Sequence, residues 1–263
     1  MFEEMKIHTF LIAGVLLTFA LSILALFTSE TTFLLLFSYS ILGFFPIIWV
    51  GMQLKKQQKR FTDIMTFHSM KDVFPMLIYI TIVLFFFSLG AFWLMNYGLS
   101  FIFPSVVDYF LQEIDIFPNE TVPFVLTALY ISILGPIAEE FIFRGILFKR
   151  LSAKYNLIVG IIVANVLFGI LHTDIIGAFM FGFVLSLIYQ KTGNLLLPIM
   201  VHILNNGFIT VLALIDPPIP AFVDYRTIEE VHATMLPNLM MLLIATSLLI
   251  SFIRKNKAVL TNH

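Results

Sequence analysis

Three short stretches place ionisable and amide side chains inside long apolar runs. GPIAEEFIFRG, Gly135 to Gly145, carries Glu139, Glu140 and Arg144; NVLFGILHTD carries Asn165, Phe168 and His172; PIMVHILNNG carries His202 and Asn206. A carboxylate can take a proton from water, an imidazole can hold or pass one, and an amide can donate to a developing oxyanion. On a helix Glu140 and Arg144 stand at i and i+4, with the acid N-terminal, and can neutralise each other. Glu139 is rotated by about 100° from Glu140 and is left without a counter-ion of its own. Read blandly, the three charges form a structural ion pair that pins helix packing, but two acids against one base leave that pair incomplete. The other histidines, His8, His68, His232 and His263, lie at span edges, in loops or at the terminus and are assigned no chemistry.

The elements that must position these groups are membrane helices. Of 263 residues, 60% are hydrophobic and 12% charged, with 30 phenylalanines and a mean hydropathy of +1.00, whereas a soluble domain carries roughly one-quarter charged residues. Eight apolar windows are long enough to be read as spans, near 8–27, 32–52, 74–97, 122–149, 157–172, 174–190, 195–214 and 236–253, two of them short for a hydrocarbon core of ~30 Å. The fold class is therefore all-α, a polytopic integral membrane protein of about eight transmembrane helices. The first window is a retained helix rather than a cleaved signal, since its apolar run is too long and no small-residue cleavage site follows it. Residues 1–263 read as a single membrane domain in a lipid bilayer, because no loop is long enough to hold a soluble core. The stretch KKQQKRFTDIMTFHSMKD suits an interfacial segment. A net charge of −1 gives no sign of a nucleic-acid partner, and without cysteine there is neither a disulfide nor a thiolate nucleophile.

Every Lys and Arg except Arg144 and Arg226 falls on one side of an eight-span arrangement, while Glu30, Asp108, Glu113, Asp115, Glu120, Asp174, Asp216, Asp224, Glu229 and Glu230 fall on the other. The bias places both termini in the cytoplasm. Arg144 is then an intramembrane charge. Such a group costs at least ~2.5–3.5 kcal/mol if it faces lipid, so it and its acids must face protein or water.

Glu139-Glu140-x-x-x-Arg144, Phe168-x-x-x-His172 and His202-x-x-x-Asn206, in that order, resemble the EExxxR, FxxxH and HxxxN motifs of the CPBP intramembrane proteases, the family of type II CAAX prenyl proteases and of bacteriocin-processing or self-immunity proteins. The resemblance covers residues 122–214, which become the expected catalytic core. It implies an endopeptidase acting on membrane-associated proteins or peptides. Glu139 and His172 would hold and activate a water, His202 and Asn206 would stabilise the oxyanion, and Glu140 with Arg144 would be a supporting pair. It leaves open whether a divalent metal takes part. Glu139, His172 and His202 are the candidate ligands for zinc, which would lower the pKa of its water toward ~7, while glutamate-activated water needs no metal; HExxH is absent.

Two non-protease readings stay beside it. A transporter also uses intramembrane charges, though no repeat relates the two halves, and a non-catalytic membrane regulator could keep the fold without turnover. One geometric tension is visible. At ~1.5 Å per residue, His172 is about 24 Å from the cytoplasmic end of its span, Glu139 about 16 Å from Arg150 and His202 about 12 Å from Asn194. The expectation is that the His172-Thr173-Asp174 turn dips inward and is buried, and that the cavity faces the cytoplasm.

Overall fold

The computed structural model describes residues 1–28, 30–67, 70–112, 117–213 and 225–258. His68, His263 and the acids Glu113, Asp115, Asp216 and Asp224 lie outside the described residues. Within a bilayer only structures that satisfy every backbone N–H and C=O internally can cross, and these long apolar runs form helices with no strand among the described residues. In chain order they are α1 (Ile7–Ala25), α2 (Thr31–Lys56), α3 (Met70–Ser100), α4 (Pro104–Gln112), α5 (Thr121–Lys154), α6 (Leu157–Ile170), α7 (Ile175–Thr192), α8 (Leu196–Ala213), α9 (Ile228–Ala233) and α10 (Met235–Lys255).

Six of these, α1, α2, α3, α5, α7 and α10, are long and apolar enough to cross a membrane, and α6 and α8 are shorter apolar helices. The chain is a multi-pass membrane protein. The two short helices are those that lead to or carry the intramembrane histidines. α6 has 14 residues, about 21 Å of rise, and stops before His172. Asn156 caps its start, accepting from the Val159 N–H at 2.9 Å. Gly193, at φ +65°, closes α7 in the left-handed conformation that glycine tolerates.

α5 is not a uniform helix. π-helical turns occupy Tyr130–Leu134 and Phe141–Phe148, on either side of the segment Gly135–Glu140 that bears the acids, and α2 has one at Ser40–Phe44. Such turns widen the helix locally and are frequent at functional sites. The widened parts of α2 and α5 face each other through Tyr39 and Tyr130, whose rings stack at 4.2 Å and 8°.

Two apolar clusters flank the site. One joins α3, α7 and α10 through Leu84, Leu185 and Leu249, and the other joins the N-terminal segment, α2, α6 and α8 through Phe2, Trp49, Ile161 and Ile199. By contrast α1 has no fully buried residue and touches the rest through Phe10, whose ring lies 5.1 Å from both Phe45 and Trp49. Arg150 holds the N-terminal segment by donating to the Glu3 and Met5 carbonyls, each at 2.6 Å. The basic stretch after α2 docks rather than floats. Ile64 is buried, its carbonyl takes the Leu195 N–H at 2.9 Å, and Thr66 exchanges two hydrogen bonds with the Asn194 side chain at 3.0 and 2.8 Å.

Candidate active site

The hairpin of α5 and α6 sets the level of the first two groups. Its turn lies at Tyr155 and Asn156; Glu139 precedes it and His172 follows it by 16 residues each, so antiparallel packing brings them abreast. The tension in the helical arithmetic disappears because α5 runs on to Lys154, past the span end read near 149. His202 reaches the same level because α8 starts deep, with the Asn194–Leu195 turn covered by the 61–67 segment. The 172–174 turn therefore does not need to be buried, and it is not: Thr173 is exposed while His172 and Asp174 are half-buried.

At this level Glu139 Oε2 stands 3.9 Å from His172 Nε2 and 3.9 Å from His202 Nε2. It is a buried oxygen with no hydrogen-bond partner of its own. Both imidazoles are oriented through their other nitrogen. His172 Nδ1 lies 2.7 Å from the Phe168 carbonyl, and His202 Nδ1 lies 2.8 Å from Glu140 Oε1. A carbonyl and a carboxylate can only accept, so in each ring the proton is assigned to Nδ1. In the neutral tautomer each Nε2 then presents a lone pair. Three acceptor atoms converge on one small space, and only a donor placed between them, a water or a proton carried by one imidazole, satisfies them.

Beneath this space lies a closed polar layer. Glu140 is fully buried and its Oε1 accepts from both Arg144 Nη1 and His202 Nδ1 at 2.8 Å, so the expected pair is a triad. The Arg144 guanidinium, also fully buried, sits 4.4 Å over the Phe168 ring, a stacking that a guanidinium offers and an ammonium does not. Phe168 thus serves three neighbours, carrying Arg144 on its face, His172 at 4.4 Å and His202 at 6.0 Å. The other side of Arg144 is closed by Asn165, which donates to the Ile161 carbonyl at 2.7 Å and to Ser186 at 3.0 Å. A methyl group on Gly182 would fall on Asn165 Oδ1 and come within 2.8 Å of Arg144 Nη2. Gly182→Ala is therefore expected to lower stability by about 1–3 kcal/mol through overpacking, read as a drop in the melting temperature of the detergent-purified protein.

Asn206 is one turn beyond His202 on α8, as its spacing requires, but its amide is already engaged. Nδ2 donates to the Ile131 carbonyl at 3.0 Å, a carbonyl within the π-helical turn 130–134, and its Oδ1 accepts from Asn205 at 3.2 Å. One amide hydrogen remains for another acceptor. Glu140, Arg144, Phe143, Ile146 and Phe148 are buried, whereas the Glu139 and His172 side chains are 30% and 37% exposed.

Glu139, His172 and His202 are also the candidate metal ligands. Around a tetrahedral ion with bonds of ~2.0–2.1 Å, ligand atoms stand about 3.4 Å apart. The two separations here are wider, and no group of three or more His, Asp or Glu among the described residues has the arrangement of a metal site. A water, with hydrogen bonds of ~2.8 Å, can reach two atoms that stand 3.9 Å apart.

Asp174, which the sequence groups with the loop acids, has a defined place. It caps α7, its Oδ1 accepting from the Gly177 N–H at 2.9 Å, and its Oδ2 accepts from the Ser88 hydroxyl of α3. Burial pushes its carboxyl up, opposed by these two bonds and by nearby His172. The signal that could have found it is its position, an Asp directly before a new apolar run.

Comparison with known proteins agrees with the motifs. Residues 121–208 match the family model described as type II CAAX prenyl endopeptidase Rce1-like. The chain is similar to the membrane-embedded CAAX protease MroQ of Staphylococcus aureus (strain USA300), 32% identical over 143 residues, covering 47% of this chain and 58% of that protein. It is also similar to the putative membrane peptidase YdiL of Bacillus subtilis (strain 168), 36% identical over 86 residues, covering 32% and 35% of the two chains. An uncharacterised 24.3 kDa protein of Escherichia coli is 30% identical over 96 residues, covering 33% and 44%. The alignments thus span between about one-third and three-fifths of these relatives. No solved structure matches. All three motifs lie inside the matched segment, residues 121–208.

Proposed function

We propose that the protein is an intramembrane endopeptidase that hydrolyses peptide bonds of membrane-associated proteins or peptides with a water activated by Glu139, with its catalytic core in residues 122–214 and both termini in the cytoplasm. The observation that carries this reading is the twin 3.9 Å separation of Glu139 Oε2 from His172 Nε2 and His202 Nε2. A water in that gap donates one hydrogen to Glu139 and the other to His172. Glu139 takes the proton as the water oxygen attacks the scissile carbonyl carbon, and returns it to the leaving amine when the tetrahedral intermediate collapses. Negative charge develops on the former carbonyl oxygen, toward His202 and the free amide hydrogen of Asn206.

Glu140 holds Arg144 and His202 in place through a single oxygen. Exclusion of water from the layer below strengthens each of these interactions.

The 3.9 Å separations, wider than those of a closed zinc site, support the reading of a bridging water. The experiment is cleavage of membrane-anchored peptide precursors and CAAX-type peptides by detergent-purified protein, with and without a chelator, and with His202→Ala. The expected outcome is cleavage that survives chelation and falls by about 10²–10³-fold in His202→Ala, the scale of a lost oxyanion donor. Loss of cleavage on chelation and its return with zinc would replace the glutamate mechanism by a metal-dependent one. Absence of cleavage across the panel, with ion or solute flux in vesicles, would favour a transporter.

A further inference from the structure

α3 lies outside the segment that matches the family, yet it supplies the one hydrogen bond among the described residues that ties an outside helix to the turn bearing His172. The bond runs from the Ser88 hydroxyl to Asp174 Oδ2. Asp174 Oδ1 is meanwhile fixed by the Gly177 N–H at 2.9 Å, so the carboxylate is held at both oxygens, one on the next helix and one on α3. His172 is only two residues away. Its own backbone N–H closes the end of α6 on the Gly169 carbonyl at 2.9 Å, which leaves Thr173 as the single residue between two fixed points.

The packing at this place is specific to these groups. A methyl group on Gly177 would fall on both Asp174 Oδ2 and Ser88 Oγ, so the backbone of α7 approaches the clamp more closely than any side chain permits. The His172 ring is 37% exposed and is held at its Nδ1 by a single bond, to the Phe168 carbonyl. Its other nitrogen must stay within reach of one water shared with Glu139, and displacement of a reacting group by ~1 Å can lower a rate by about 10²-fold.

We infer that Ser88 and Asp174 form a positioning pair that fixes His172 over the catalytic water from outside the family core. Neither residue touches the reacting atoms; both act through the 172–174 turn. α3 shares a buried apolar core with α7 and α10, so the pair ties His172 to that core.

The inference rests on the proposed hydrolysis, but its test does not depend on activity alone. Purified wild type, Ser88→Ala, Asp174→Ala and Asp174→Asn are treated with diethyl pyrocarbonate, and the modification rate of His172 is read by mass spectrometry against His8 in the same sample. Loss of the clamp is expected to raise the His172 rate severalfold in Ser88→Ala and Asp174→Ala. Asp174→Asn restores most of the wild-type rate, because an amide oxygen still accepts from Gly177 and its NH₂ can donate to the Ser88 oxygen. With a cleavable peptide, kcat falls by roughly 10- to 100-fold in the alanine variants while KM stays within about threefold, the split of a misplaced catalytic group. If Asp174→Ala does not fold, Ser88→Ala carries the test, since removing one hydroxyl leaves the helix cap intact. An unchanged His172 rate in Ser88→Ala overturns the inference, whether or not the protein cleaves any peptide. Cleavage lost from wild type as well, with the His172 rate raised in the variants, rejects the hydrolytic reading and keeps the clamp.

Discussion

Arg144→Ala is expected to cost about 3–5 kcal/mol, because it leaves Glu140 fully buried with one of its two cationic or donor partners gone. The same change removes the guanidinium that covers Phe168, so the ring under both histidines loses its upper contact. For a chain of this size that figure corresponds to a fall of roughly 6–20 °C in melting temperature, readable by the intrinsic fluorescence of the purified protein. Arg144→Lys keeps the charge but not the planar stack over Phe168, and falls between the wild type and Arg144→Ala. Glu140→Gln is milder in stability, since the amide oxygen can still accept from Arg144 and His202. It leaves the buried cation without a full counter-charge and unsettles His202. Melting curves for Arg144→Ala that superpose on wild type would mean that the buried triad contributes nothing to stability.

Glu139→Gln is expected to do the opposite, leaving stability nearly unchanged while lowering kcat by about 10²–10⁴-fold, the range of a lost general base. The substitution keeps the volume and the ability of one oxygen to accept, and the side chain is 30% exposed, so nothing in the packing is lost. What is lost is the capacity to take a proton from water. His172→Ala loses a holder of that water rather than its base, and its residual activity is expected to exceed that of Glu139→Gln. A stable Glu139→Gln protein with wild-type turnover would mean that the proton goes elsewhere.

Residue types alone make the membrane class, the helical pattern and the six polar residues legible, because intramembrane charges are costly and therefore informative. The i,i+4 spacing also foretells the bond between Glu140 and Arg144. It does not foretell that the same Glu140 oxygen takes His202, a residue 62 positions away on another helix. Long-range partners of this kind leave no local period in the sequence.

The level of the site escapes the sequence for a related reason. An α5 that ended near 149 would put Glu139 and His172 out of register, but the basic residues at 149–154 continue the helix to the turn at Tyr155. Sequence windows sense hydrophobic length, and a helix that emerges from the apolar layer is longer than its window. The same limit hides the docking of the 61–67 segment beneath α8, which depends on hydrogen bonds between Thr66 and the Asn194 side chain, on the Leu195 N–H to Ile64 bond and on the buried Ile64, partners far apart in the chain. Asp174 is hidden by its charge: it sorts with the loop acids, yet it is a helix cap that faces Ser88.

Whether Glu139 is the base is decided by a side-by-side digest of one membrane-anchored peptide panel by wild type and Glu139→Gln, purified in the same detergent and shown by melting curves to be equally folded, with products identified by mass spectrometry. A base at Glu139 gives a defined internal cleavage by the wild type and at least a ~10²-fold slower one by the variant. Equal cleavage by the two proteins, at the same bond, would remove Glu139 from the chemistry and with it the proposed mechanism.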